Sequence, residues 1–157
     1  MKKILFFSFP LLVILFASCG NAGSGEGKDA KNDTASAATA QADTLMQQVM
    51  DGHNEGMAKY GKIRSVLATL TQKLDSLKKL PSADATLKSV MESVMNDVNN
   101  AKNHMDVWME SFSMDSAENN IPVRIQYLTD EKKKVEEVKD AILNSLARAD
   151  SLLGGSH

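Results

Sequence analysis

Several residue types are scarce in this sequence of 157 residues, and each scarcity argues against a class of protein. Cys19 is the single cysteine, so no internal disulfide can form and apolar packing must hold the fold together. Aromatic residues make up only 5% of the chain, and no β-branched run alternates with period two, which argues against a β-sheet protein. Without the two N-terminal lysines, 16 basic residues face 20 acidic ones, a net charge of −4. Nucleic-acid binding rewards clustered positive charge, so no nucleic-acid partner is expected.

The N-terminal segment has the layout of a secretory signal peptide. Lys2 and Lys3 form a charged start, residues 4–16 are mainly apolar, and two small residues precede Cys19. The apolar run is too short for a membrane span. The pattern therefore predicts export from the cytoplasm.

These residues resemble a bacterial lipoprotein signal, which implies that residues 1–18 are cleaved and that Cys19 becomes the lipidated first residue. The resemblance also implies several acyl chains on Cys19, palmitate among them. A single chain binds membranes only marginally, whereas several together hold firmly. Gly20 stands where some bacteria place an acidic retention residue, which favours the outer membrane. We therefore expect a lipid-anchored protein of the bacterial cell envelope.

The segment after Cys19 has the composition of a linker. Residues 20–41 contain no Val, Ile, Leu, Met or aromatic side chain and consist mostly of Gly, Ala, Ser, Thr and Asn. Such a segment cannot bury enough apolar surface to fold. Residues 19–41 are therefore predicted to be a lipidated cysteine followed by a disordered tether.

From Ala42 onward, apolar residues recur every three or four positions in three successive stripes, the signature of amphipathic helices. The stripes comprise Leu45, Val49, His53, Gly56, Tyr60, Ile63, Leu67, Leu70, Leu74 and Leu77; Leu87, Met91, Val94, Val98, Ala101, Met105, Trp108 and Phe112; and Ile125, Leu128, Val135, Val138, Ile142, Leu146, Ala149 and Leu153.

The breaks between the stripes carry helix-boundary signals. Asp43 or Thr44 is the expected N-cap of the first helix, and Pro81 disfavours helix at the residue before it. Pro122 suits the first turn of the third helix, where its missing N–H costs nothing. Residues 154–157 begin with two glycines and form the expected C-terminal tail.

Three long amphipathic helices joined by short turns must each bury one apolar face. The simplest solution is an all-α fold, an antiparallel three-helix coiled-coil-like bundle over residues 42–153. A long helical hairpin that completes its core by dimerising is the alternative architecture. The bundle is thus expected to be a monomer or a helical homo-oligomer.

The sequence offers little to catalysis. It contains no His-Glu-x-x-His, no Gly-x-Ser-x-Gly and no second cysteine. The charged run of residues 130–137 pairs Asp130 with Lys134 at i,i+4 spacing and is interpreted as a solvated helix face. We expect neither an enzyme nor a bound cofactor.

Methionine and histidine form the one suggestive constellation. If the first turn lies near Pro81, facing residues of the first two helices have numbers that sum to about 162. This register places His53 opposite Met109 and Met57 opposite Met105, with Trp108 and His104 in the same layer. Thioether and imidazole ligands suit Cu(I) or Ag(I). The alternative to a purely structural role is therefore a soft-metal site made of His53, Met57, His104, Met105 and Met109.

Gly52 and Gly56 fall in the middle of the first predicted helix, close to this constellation. Each costs roughly 1 kcal/mol relative to Ala in a helix, which predicts a close approach of another element.

Residues 42–153 also resemble a group of short bacterial lipoproteins called "viral A-type inclusion protein". The likeness is carried by residues 53–59, by residues 105–112, and by Tyr127-Leu128 with residues 132–141. The group's name reflects coiled-coil similarity, and no activity, cofactor or catalytic residue is implied. The expected function is a non-enzymatic interaction or structural role in the envelope, with an envelope protein as the possible partner.

Overall fold

Four α-helices account for most of the residues that the computed structural model describes, which are 29–80 and 84–154. The leader, Cys19, the residues before Asp29 and the first turn at Pro81 lie outside the described residues. Within the described part, no helix combines the length and apolarity that a membrane span requires. The helices are α1 (Asp29–Met57), α2 (Tyr60–Lys78), α3 (Ala85–Ser111) and α4 (Ile121–Leu153).

α1 begins at Asp29, well before the predicted start at Ala42, and residues 33–41 are helical where a disordered tether was predicted. Asp43 and Thr44 are helix-interior residues rather than N-caps, and the Thr44 hydroxyl donates to the Ala40 carbonyl at 2.8 Å. The early segment is rich in alanine, the best helix former, and extends an existing helix without a new nucleation step. Composition correctly indicated that this segment buries little, because residues 33–41 are almost all exposed.

The first predicted helix is interrupted at Ala58 and Lys59, which separate α1 from α2. The Lys59 N–H donates to the Gly56 carbonyl, three residues back, and Lys59 keeps a right-handed conformation. Such a tightened turn kinks a helix without ending its path. The kink lets α1 pack mainly against α4 while α2 packs mainly against α3.

The remaining helix boundaries follow their capping residues. The Asp84 carboxylate accepts N–H bonds from Thr86 and Leu87 at the start of α3. Asn120 caps α4, and Pro122 lies in its first turn as predicted. Gly154 ends α4 in the left-handed conformation with φ 88°, which confirms the predicted stop.

The predicted three-helix fold is confirmed, with α1 and α2 together forming its first helix. α1 and α2 run in one direction, α3 runs back, and α4 returns, so that α4 is parallel to α1 and α2. Gly52 therefore lies against Val135, and ten residues further along, Lys62 pairs with Asp150. One continuous core lies between the helices, and its fully buried large side chains are Val49, Ile63, Val66, Leu70, Val94, Val98, Met105, Leu128, Val135 and Ile142.

α4 is too short to cover the whole length of α2 and α3. Lys62 is level with Asp150, and only three further residues of α4 follow before Gly154. α2 continues to Lys78, about 18 Å past the level of Val66. We call this part, residues 67–80 and 84–92, the hairpin end; Leu70, Leu74 and Met91 are buried within it.

Candidate functional site

A row of rings crosses the bundle at the end opposite the hairpin end. Trp108 is only 5% exposed and stacks on Phe112 with ring centroids 4.9 Å apart. The His53 ring centroid lies 5.7 Å from that of Trp108. At the other end of the row, the Tyr127 ring centroid lies 6.1 Å from that of Phe112. Stacked and tilted rings at such separations attract one another beyond simple burial. We call the part of this row around His53, Trp108 and Met109 the Trp108 layer.

The predicted pairing of His53 with Met109 is confirmed. His53 Nε2 lies 3.3 Å from Met109 Sδ, and the other ring nitrogen, Nδ1, lies 3.1 Å from the Asn54 side-chain oxygen. His53 and Met109 are both half-buried, so the pair lies at the edge of the core within reach of solvent.

The other residues of the predicted soft-metal set differ in burial. Met105 is completely buried in the core, and Met57 is half-buried against the core, one helical turn from His53. His104 is exposed on α3 and lines a shallow groove beside α4 with Arg148. The prediction that His104 joins the same layer is therefore wrong. Its position on the helix, one residue before Met105, turns it away from α1.

The Trp108 indole is held by a buried carboxylate that the sequence pattern did not identify. Trp108 Nε1 donates to Glu131 Oε2 at 2.9 Å, and Lys134 Nζ donates to Glu131 Oε1 at 2.7 Å. Glu131 is only 4% exposed, so the prediction of a fully solvated face over residues 130–137 is wrong at this position. Lys134 pairs with Glu131 rather than with Asp130, and this contact raises the pKa of Lys134.

A signal for Glu131 was present in the spacing. The third apolar stripe passes from Leu128 to Val135, and the position that three-four spacing requires between them is residue 131. A carboxylate there fits only if a donor meets it, and the Trp108 indole is that donor.

A second polar cluster joins α2 to α3 next to the layer. Tyr60 donates its hydroxyl proton to Asp106 at 2.9 Å, and Lys102 donates to the same carboxylate. The hydrogen bond from Lys102 is the main cause that lowers the pKa of Asp106, with Tyr60 adding to it. Burial and the bond to Asp106 raise the pKa of Tyr60. The cluster fixes the lateral position of α3 just beyond the kink.

The prediction that Gly52 and Gly56 allow a close approach is confirmed. A Cβ on Gly52 would lie 3.1 Å from Val135 Cγ1, and a Cβ on Gly56 would lie 2.5 Å from Met105 Cε. The two glycines, one turn apart, let α1 approach both neighbours beside the Trp108 layer.

The hairpin end carries a separate surface feature, a groove of about 470 Å³ between α2 and α3. Leu77, Leu80, Leu87 and Met91 form its apolar part, and Lys73 supplies its charge. Leu80 is 56% exposed, and Leu87, which faces the same groove, is also exposed.

In the described part of the chain, no three His, Cys, Asp or Glu side chains gather as ligands for a metal ion. No known protein family, curated protein or solved structure matches this chain. The bundle geometry is therefore the basis for inferring a function.

Proposed function

We propose that this chain is a lipid-anchored cell-envelope protein whose helical bundle has a non-enzymatic interaction role. The support for the anchor is the layout of the leader and Cys19, which lie outside the described residues. We also propose that its destination is the outer membrane and that it belongs to the "viral A-type inclusion protein" group. The observation that carries the interaction role is the open groove of the hairpin end.

The groove continues the surface on which α4 packs. Lys62 contacts α4, and Thr69, Lys73 and Ser76 follow it on the same face of α2 at helical spacing. An occupant that extends this packing has the shape of another α-helix. Helix-in-groove recognition uses apolar anchors one turn apart, for which the groove leucines provide contacts.

The charge pattern specifies the occupant further. Lys62 pairs with Asp150 of α4, and Lys73 lies about three turns further along the same face. Within the described residues, Lys73 makes no ion pair. The partner we propose is an envelope protein that presents an amphipathic helix with a carboxylate positioned for Lys73.

The anchor is tested by Cys19→Ala. We expect the variant to remain uncleaved or to leave the lipidated membrane fraction, because no other residue of the leader pattern can carry the lipid. Fractionation with labelled palmitate measures both outcomes. A shortened, membrane-bound Cys19→Ala chain would contradict the proposed anchor.

The interaction is tested by a photo-crosslinking residue at Ser76 in intact cells, with the same residue at the exposed Lys133 of α4 as the control. We expect one discrete product from position 76, none from position 133, and loss of that product in Lys73→Glu. The absence of a product from position 76 would contradict the proposal. A product of twice the chain's own mass would show that the groove binds a second copy of this chain rather than another envelope protein.

A further inference from the structure

We propose that the Trp108 layer binds one soft monovalent cation, Cu(I) or Ag(I), between His53 Nε2 and Met109 Sδ. The two atoms come from α1 and α3 and lie 3.3 Å apart. This site goes beyond the proposed interaction role and shares no residue with the hairpin end.

His53 Nε2 faces the Met109 sulfur, and the tautomer decides which imidazole nitrogen carries the proton. The tautomer that we propose for the cation-binding state has its proton on Nδ1, which donates to the Asn54 side-chain oxygen at 3.1 Å. Nε2 then directs its lone pair at the lone pairs of the Met109 thioether. A cation between the two satisfies both donors at once.

The donor types select the cation. Thioether sulfur and imidazole nitrogen prefer soft ions, whereas Mg²⁺ and Ca²⁺ require oxygen ligands. Met57 lies one turn from His53 on α1 and is half-buried, so its thioether is placed to become a third ligand. The Trp108 ring lies 5.7 Å from the His53 ring, centroid to centroid, so its emission reports on this region.

The site is also supported in the way that metal sites usually are. Asn54 contacts His53 Nδ1, and Glu131 accepts a hydrogen bond from Trp108 Nε1. Hydrogen bonds to the far side of a ligand ring hold it in place, and their loss typically lowers metal affinity about 10–100-fold. Because His53 and Met109 are half-buried, the cation reaches the site by replacing solvent alone.

The experiment is a titration of the Cys19→Ala chain, which lacks the competing thiol, with Ag(I) in chloride-free buffer, followed by the emission of Trp108, the sole tryptophan. We expect one equivalent to bind and to change the emission, and the imidazole nitrogen resonances of His53 to shift with the same stoichiometry. Met109→Leu keeps the apolar packing and should weaken binding at least about tenfold. Asn54→Ala should weaken it in the same direction.

Met95→Leu is the matched control, because Met95 is a half-buried thioether on α3 whose sulfur lies near Thr71 rather than near a histidine. Circular dichroism of each variant verifies that it is folded. Equal Ag(I) affinity of Met109→Leu and Met95→Leu would overturn the proposal. Binding of several equivalents without a His53 shift would overturn it as well, since that result would indicate unspecific thioether contacts.

Discussion

Glu131 is a glutamate that is buried in the core of the bundle. Carboxylates are almost never fully buried unless they are paired. Glu131 meets the Trp108 indole inside the bundle, and Lys134 reaches it from the surface. Both carboxylate oxygens therefore have a donor, and the core accommodates a charge at a position where its neighbours along the stripe are Leu128 and Val135.

We expect Glu131→Ala to lower the free energy of unfolding by about 1–3 kcal/mol, because it leaves the buried Trp108 N–H without an acceptor. Denaturant unfolding measures the change. The control is Glu137→Ala, whose side chain is 68% exposed and should stay within about 0.5 kcal/mol of the parent chain. Equal stability of the two variants would show that the indole hydrogen bond contributes nothing.

Asp106 gives the bundle a predicted sensitivity to acid. Its pKa is lowered in the folded state from the usual 3.8, chiefly by Lys102. A lowered pKa stabilises the fold above the ordinary value, and this contribution disappears as the pH falls through the folded-state pKa. We expect unfolding measured from neutral pH to below pH 3.8 to show a shallower loss of stability in Asp106→Asn than in the parent chain.

Lys102→Met should reproduce most of that flattening and Tyr60→Phe less of it, since Lys102 is the larger cause. A parent chain and an Asp106→Asn variant with parallel pH profiles would contradict the assignment.

At the scale of the elements, the glycines of the first helix have opposite roles. Gly56 is buried and faces Met105, whereas Gly61 is exposed and has open space where a Cβ would lie. The same substitution should therefore have opposite effects at the two sites.

We expect Gly61→Ala to stabilise the bundle by about 0.5–1 kcal/mol through helix propensity. Gly56→Ala should destabilise it by about 1 kcal/mol, because overpacking costs about 1–3 kcal/mol and propensity returns about 1. Thermal unfolding of both variants beside the parent chain distinguishes them. A shift of the same sign in both would mean that Met105 moves aside at no cost.

The elements also show what the sequence pattern can and cannot predict. The apolar stripes correctly predicted the packed faces, and Pro122 and Gly154 marked the limits of α4. The kink at Ala58 was not predicted, because the stripe continues through it from His53 to Ile63. The register of about 162 located the partner of His53, since that relation depends only on the position of one turn. It could not reveal which face His104 occupies relative to α4.

For the whole molecule, the pattern predicted the architecture and misplaced its N-terminal limit. Ala42 is the first buried residue of the described chain, and the apolar stripe correctly begins beside it. α1 nevertheless starts at Asp29, because a helix can extend without burying anything once its later turns are packed. Burial and helix content are separate properties, and hydrophobic spacing reports only the first.

This separation predicts the outcome of truncation. A chain that begins at Ala40 should keep the parent free energy of unfolding within about 0.5 kcal/mol, because residues 33–39, the described side chains that it loses, are almost all exposed. A chain that begins at Met50 also loses Ala42 and Val49 from the core and should be destabilised by about 2 kcal/mol or more. Denaturant unfolding of the two chains measures both values, and an unchanged second chain would contradict the assigned core.

If Cys19 carries the proposed lipid, the early start of α1 changes how far the bundle reaches from the membrane. Nine residues separate Cys19 from Asp29, and fully extended they span about 35 Å at most. From Asp29 to Lys78 the helical path is about 75 Å long, interrupted only by the kink. With lipid on Cys19, most of the distance between the lipid and the hairpin end is therefore spanned by helix, and only a small part by the nine residues before Asp29. When the bundle stands upright on the membrane, a partner must present its helix many tens of ångströms above the bilayer to meet the hairpin end. A partner that lies close to the lipid can be reached only if the whole bundle tilts.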